Sequence, residues 1–134
     1  MARIETIEGI GPAYAEKLRA IGIGTTEALL RAGATSQGRA ELAEKTGIRP
    51  DLILAWVNRA DLMRVKGVGE EYSDLLEAAG VDTVVELAHR NPDNLYEKLV
   101  QVNEEKKLVR RLPTRQMVAA WVEFAKTLDR VVTY

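Results

Sequence analysis

The chain has 134 residues, of which 46% are hydrophobic and 29% charged, a composition typical of a soluble globular protein with one domain or two small helical units. It contains no cysteine and one histidine, so disulfide frameworks and thiolate metal sites are excluded, and we expect neither a metal nor a cofactor. No apolar run approaches the roughly 20 residues that cross a bilayer, and no signal pattern begins the chain. We therefore expect a cytoplasmic protein without membrane contact.

The net charge of −1 hides an uneven distribution of charged residues. Residues 1–65 carry nine basic and eight acidic side chains, residues 66–105 carry three and ten, and residues 106–115 carry five and none. The corresponding net charges are +1, −7 and +5. A charged partner must therefore be recognised by a local patch rather than by the overall charge.

Apolar residues recur at helical spacing along the chain, and threonine, proline and glycine mark the expected helix ends. In chain order, the first half predicts helices over residues 12–20, 26–31, 36–45 and 50–62. The second half predicts helices over residues 70–79, 83–90, from 92 onwards, and from a cap at Thr114 to about 127. Residues 104–111 continue the third of these or form a separate turn, and the tail 130–134 is expected to pack. The predicted fold class is all-α.

The chain contains an internal repeat. When the sequence is shifted by 58 residues, residues 7–30 align with residues 65–88, and eight of the 24 pairs are identical. Trp56 and Trp121, which we expect to pack in the core, follow at a shift of 65, so the second half has about seven extra residues. The sequence predicts two pseudo-symmetric halves, residues 1–62 and 63–134, packed as one compact unit. The identical pairs are Gly9/Gly67, Gly11/Gly69, Tyr14/Tyr72, Leu18/Leu76, Ala20/Ala78, Gly22/Gly80, Thr25/Thr83 and Leu29/Leu87.

Each half begins with an apolar-x-Gly-apolar-Gly motif, residues 7–11 (hairpin 1) and residues 65–69 (hairpin 2). Two glycines allow a sharp turn between short helices, while the apolar residue between them, Ile10 or Val68, points inward. The second glycine stands near the start of the next helix, where free backbone amides and the helix dipole favour an anion. The motifs resemble the helix-hairpin-helix family. This resemblance implies a duplicated helix-hairpin-helix (SAM-like) domain that grips duplex DNA by its sugar-phosphate backbone without reading sequence.

Hairpin 1 is better equipped for a phosphate than hairpin 2. Glu70 and Glu71 occupy the helix start after hairpin 2, where carboxylates satisfy the same amides and repel phosphate. Residues 106–111, the basic segment, are expected to form a helical ridge that contacts phosphates or an acidic protein. Alternatively, this ridge pairs with hairpin 2 or with Glu104 and Glu105. The candidate nucleic-acid-binding residues are Gly9, Ile10, Gly11, Ala13, Lys17, Arg19, Lys66, Gly67, Gly69, Lys106, Lys107, Arg110 and Arg111.

No residue pattern indicates catalysis. The sequence has no serine-histidine pair at a useful spacing, no carboxylates clustered with metal ligands, and no phosphate-binding loop of the nucleotide-hydrolase type. We therefore expect a non-enzymatic binding module. Its partner is either DNA or another nucleic acid, held through backbone amides, or a protein for which the chain serves as an adaptor or scaffold.

Over its whole length the sequence resembles a bacterial family of uncharacterised domains, the domain-of-unknown-function 4332 family, and five stretches carry this resemblance. The resemblance implies a helix-hairpin-helix fold and supplies no activity. The stretches that carry it are residues 7–23, 55–62, 66–81, 106–113 and 130–134.

Overall fold

The computed structural model describes residues 2–134. Within these residues a 3₁₀ helix, Ile4–Thr6, precedes eight α-helices, and a single antiparallel bridge between Arg3 and Thr25 is the one strand-like feature. The predicted all-α fold class is confirmed. The α-helices are α1 Pro12–Arg19, α2 Thr26–Ala32, α3 Ser36–Thr46, α4 Pro50–Leu62, α5 Glu70–Ala78, α6 Val84–Ala88, α7 Pro92–Lys106 and α8 Arg115–Ala125.

Polar side chains cap the N-termini of five of these helices. The side-chain oxygens of Thr25, Thr35, Thr83, Asn91 and Thr114 each accept a hydrogen bond, 3.0–3.4 Å long, from the backbone N–H three residues further along the chain. Such caps satisfy amides that have no acceptor inside the helix. The positions of these residues in the sequence therefore account for where α2, α3, α6, α7 and α8 start.

The basic segment is not a helix, so the prediction of a basic ridge on neighbouring helical faces is wrong. α7 ends at Lys106, and Lys107 adopts the left-handed conformation with φ of 51°, which stops a right-handed helix. The Asn103 side chain then bonds both backbone groups of Val109, accepting from its N–H at 3.0 Å and donating to its carbonyl at 3.2 Å. A side chain that occupies backbone groups in this way competes with helical hydrogen bonds.

The chain divides into two units. The first extends up to Asp61 and includes the C-terminal tail Val131–Tyr134, and the second is Leu62–Arg130. The tail, which the sequence grouped with the second half, thus packs in the first unit. No helix of the described residues is both long and apolar enough to cross a membrane.

The first unit has a core to which the 3₁₀ helix, hairpin 1 and all four of its α-helices contribute. Burying each large apolar side chain stabilises the fold by about 1.5–3 kcal/mol relative to leaving it in water. The largest side chains that are fully buried here are Ile4, Ile7, Leu18, Leu29, Ile53 and Val57.

The buried side chain of Arg39 fastens the C-terminal tail to this unit. Its guanidinium donates to the carbonyl oxygens of Gly33 at 2.8 Å, Ala34 at 3.2 Å and Thr133 at 2.7 Å. The Thr133 N–H in turn donates to the Ala34 carbonyl at 2.8 Å, and Val132 is buried. One arginine therefore satisfies the carbonyl groups that follow α2 and holds the last residues of the chain.

The second unit packs α8 against α6 and α7, and α5 against α7. Its core is continuous from the start of the unit to the end of α8 and is almost entirely aliphatic apart from Trp121. The largest side chains that are fully buried here are Leu62, Leu75, Leu76, Leu87, Leu95 and Leu99.

We predict that Arg39→Met lowers the free energy of unfolding by about 2–4 kcal/mol, because it leaves three carbonyl groups without their charged donor. Hydrogen exchange of the Thr133 amide should accelerate, and urea denaturation should report the loss of stability. Arg31→Met is the matched control on exposed α2 surface and should change stability by less than about 0.5 kcal/mol. Equal effects of the two substitutions would contradict the role assigned to Arg39.

Candidate functional site

The first glycine of each hairpin has a backbone conformation that other residues resist. Gly9 has φ of 97° and Gly67 has φ of 92°, both in the left-handed region. A Cβ atom placed on Gly9 would lie 3.1 Å from Nε1 of Trp56, and one on Gly67 would lie 3.1 Å from Nε1 of Trp121. The fold itself therefore requires glycine at both positions.

Equivalent tyrosine-tryptophan pairs lie next to the two hairpins. The rings of Tyr14 and Trp56 have centroids 5.1 Å apart, and the rings of Tyr72 and Trp121 have the same separation. Both tryptophans are buried, as the sequence predicts. Backbone hydrogen bonds also correspond: Ile10 to Ile7 and Val68 to Val65, Ala15 to Gly11 and Ser73 to Gly69, and Ile23 to Leu18 and Val81 to Leu76.

The second glycine of each hairpin lies in a different environment. Gly11 and Gly69 have φ of −83° and −106°, which any residue adopts, and a Cβ atom on either would meet no atom within 4 Å. Ile10 and Val68, by contrast, are buried, as predicted for the residue between the glycines. The fold has no packing or conformational need for glycine at Gly11 or Gly69.

These second glycines are also the N-caps of α1 and α5, and neither helix start is capped by a side chain. Pro12 has no N–H, so the N–H groups of Ala13 and Tyr14 are the donors at the start of α1 that lack an acceptor within the helix. Ala13 and Lys17 lie one turn apart on the exposed face of α1, and Lys17 forms no ion pair within residues 2–134. Unpaired amides thus stand at the start of α1, and an exposed cation lies one turn further along the helix from Ala13.

The start of α5 has the opposite charge. Glu70 and Glu71 are exposed in its first turn. At the position of Lys17 the second unit has Leu75, which is fully buried, and at the position of Arg19 it has Glu77. Lys66, Gly67 and Gly69 remain exposed beside these residues. The carboxylates interact favourably with the helix dipole and oppose a phosphate there.

Arg19 forms an ion pair that no local pattern in the sequence indicates. Its guanidinium donates to both carboxylate oxygens of Glu5, one at 2.7 Å and the other in a short contact. This pairing with Arg19 lowers the pKa of Glu5 to about 2. Its contribution to stability is therefore present above the ordinary pKa near 4.5 and is lost as the pH falls towards 2. Glu5 holds a cation that the sequence assigned to phosphate binding.

The charged side chains of the basic segment are exposed. The alternative expectation, that they pair with hairpin 2 or with Glu104 and Glu105, is wrong: within the described residues, no carboxylate comes within ion-pair distance of the segment. The hydroxyl of Tyr72 nevertheless donates to the Arg111 carbonyl at 3.0 Å. The segment is therefore next to the first turn of α5, held by its backbone, with its basic groups facing solvent. These groups are Lys106, Lys107, Arg110 and Arg111.

A model of the domain of unknown function DUF4332 matches residues 8–128, a span that includes α1 to α8. The chain belongs to the DUF4332 family. No curated protein and no solved structure matches it. The family relationship expected from the sequence is confirmed. The DUF4332 description assigns no activity.

The four hairpin glycines of this DUF4332 chain fall into two classes according to how much stability an alanine substitution is expected to cost. We predict that Gly9→Ala and Gly67→Ala each lower the free energy of unfolding by about 1–3 kcal/mol, because of the left-handed backbone and the contact with tryptophan. Gly11→Ala and Gly69→Ala are matched controls two residues away and should change it by less than about 0.5 kcal/mol. Thermal unfolding followed by circular dichroism measures all four. Similar losses at all four positions would refute this division.

Proposed function

We propose that the two units are copies of one helix-hairpin-helix arrangement. Three kinds of observation support the duplication: the left-handed first glycines against tryptophan, the 5.1 Å tyrosine-tryptophan pairs, and the matching backbone bonds around the hairpins. Thr25 and Thr83, which are identical in the sequence alignment, also cap the next helix of each unit. Residues that are 58 positions apart, or 65 for the two tryptophans, thus repeat the same contacts in the two units.

We further propose that this protein is a non-enzymatic module that binds duplex DNA through the sugar-phosphate backbone, independently of sequence. The first unit contributes hairpin 1 and the start of α1. The phosphate is held by the N–H groups of Ala13 and Tyr14, and Lys17 supplies the charge. Because these donors read no base edges, binding is expected to depend on salt and hardly at all on sequence.

The observation that carries this proposal is the environment of Gly11 together with the exposed Lys17, because Gly69 has the same environment but is followed by Glu70 and Glu71. Glycine occupies position 11 although neither the backbone angle nor the packing requires one, and it stands directly before α1, whose start has no side-chain cap. A missing side chain at such a position lets another molecule approach the helix amides closely. The helix dipole and the neighbouring lysine favour an anion in that place.

The decisive experiment is a salt titration of binding to two fluorescent duplexes of equal length and unrelated sequence. Wild-type protein should bind both alike, with a dissociation constant of about 10⁻⁴–10⁻⁶ M at physiological salt. Lys17→Glu should weaken binding about tenfold at low salt and reduce the salt slope by about 0.9 or more. Gly11→Ala should weaken binding without loss of stability, because its Cβ obstructs the approach to the amides.

Lys45→Glu serves as the control for charge. It makes the same change in net charge on the exposed last turn of α3 and should leave the salt slope unchanged. Absence of binding to either duplex at low ionic strength would refute the proposal. An equal effect of the substitutions at Lys17 and Lys45 would show attraction by net charge alone, which also contradicts it.

The ion pair between Glu5 and Arg19 leads to a prediction of higher affinity for the duplex, whereas the substitutions above lower it. Glu5→Gln releases the guanidinium, so affinity for the duplex should rise about threefold at low salt. The double variant Glu5→Gln/Arg19→Gln should lose this gain, which identifies Arg19 as its source. The same titration measures both variants. If Glu5→Gln leaves affinity unchanged, Arg19 is not part of the binding surface.

A protein adaptor is the second candidate function, and the first turn of α5 favours it. Glu70 and Glu71 are exposed there and form no ion pair within the described part of the chain. Exposed carboxylates at the start of a helix suit a basic partner better than a phosphate. This function is the one that remains if the wild-type protein binds neither duplex at low salt.

A further inference from the structure

The second unit contains a loop that the first unit lacks. In the first unit, three residues join α3 to α4. In the second, α7 is 15 residues long where α3 has 11, and residues 107–114 then join it to α8. We call residues 107–114 the arm. It includes most of the basic segment and accounts for most of the extra length of this unit.

The backbone of the arm is fixed by side chains from two helices. Asn103 of α7 makes two hydrogen bonds to Val109, and the hydroxyl of Tyr72 on α5 donates to the carbonyl of Arg111. Val109 and Pro113 are buried, and the Arg111 carbonyl between them accepts the bond from Tyr72, so every second residue from 109 to 113 is anchored. The side chains of Arg110, Arg111 and Leu112 are exposed. The two arginines therefore extend into solvent from a backbone that is already held in place. Less backbone entropy is then lost when the arginines bind a ligand.

Lys107 begins the arm in a conformation that favours glycine. It is the one non-glycine residue with positive φ among residues 2–134, and it ends α7 as Gly47, with φ of 72°, ends α3. A glycine would fit this helix end with less strain. Residues in sparsely populated backbone conformations cluster at functional sites, and here the side chain is an exposed cation. Lys107, Arg110 and Arg111 form no ion pair within the described residues.

We infer that the arm, and not hairpin 2, is the phosphate-binding element of the second unit, with Tyr72 and Asn103 as its positioning residues. Arginine suits this role because its planar guanidinium donates two hydrogen bonds to one phosphate. The arm lies beside the first turn of α5, where the exposed carboxylates of Glu70 and Glu71 oppose a phosphate at the helix start. This inference rests on the proposed DNA-binding function.

The test compares two tyrosines in the same salt titration of duplex binding. Tyr72→Phe keeps the ring against Trp121 and removes only the hydroxyl bond to the arm, so affinity should fall about threefold while the salt slope stays constant. Tyr14→Phe is the matched control, since Tyr14 packs on Trp56 in the same way and its hydroxyl has no hydrogen-bond partner in the described residues. Arg110→Gln and Arg111→Gln should each reduce the slope by about 0.9.

Lys107→Gly distinguishes a binding role from a structural one, because stability and affinity should change in opposite directions. The unfolding temperature should rise by about 3 °C, while affinity falls about threefold and the salt slope decreases. The inference is overturned if wild-type protein binds the duplex and both arginine variants keep its affinity and slope. Equal effects of Tyr72→Phe and Tyr14→Phe would overturn the positioning role. If wild-type protein binds no duplex at all, the proposed function fails, and this inference fails with it.

Discussion

The contact of a left-handed glycine with a tryptophan is the constraint on which each unit depends. The backbone of Gly9 lies against the indole nitrogen of Trp56, and that of Gly67 lies against Trp121. The contact needs a residue without Cβ, and it fixes where the chain can turn before the next helix. It therefore determines the direction in which the amides at the start of α1 or α5 point. Packing inside each unit positions the groups that a ligand could reach at its surface.

The two units have the same backbone arrangement around their hairpins but different charged side chains. Around α1 the amides are accompanied by Lys17, while Glu5 neutralises Arg19 through a bidentate pair. Around α5 the same positions are apolar or acidic, and cations are supplied by the arm from elsewhere in the chain. Because a helix start attracts carboxylates as readily as phosphates, two glutamates are enough to change which partner it favours. A common fold can therefore contain two surfaces with different chemistry, and each has to be judged from its own residues.

Local features of the structure follow from the sequence, and contacts between distant residues do not. The threonine caps, the inward Ile10 and the buried tryptophans were predicted because each depends on residue type and short spacing. The end of α7 at Lys106 was not predicted, because residues 104–111 are compatible with a continuing helix. In the structure, the left-handed Lys107 and the Asn103 side chain end this helix. The pairing of Glu5 with Arg19 joins residues 14 positions apart, and Arg39 reaches a residue 94 positions away. No periodic pattern indicates contacts of that kind.

A protein with a net charge of −1 can still bind a polyanion if its cations are concentrated and free. At physiological salt, charges are screened over about 8 Å, so a phosphate at the arm responds to nearby arginines far more than to carboxylates elsewhere. The same screening makes long-range attraction weak, so association cannot rely on electrostatic steering as it does for strongly basic proteins. Under the proposed function, contacts at short range supply the affinity, and this favours preformed elements over flexible basic tails. The arm, with its backbone held by Asn103 and Tyr72, and the amides of α1 are both of this kind.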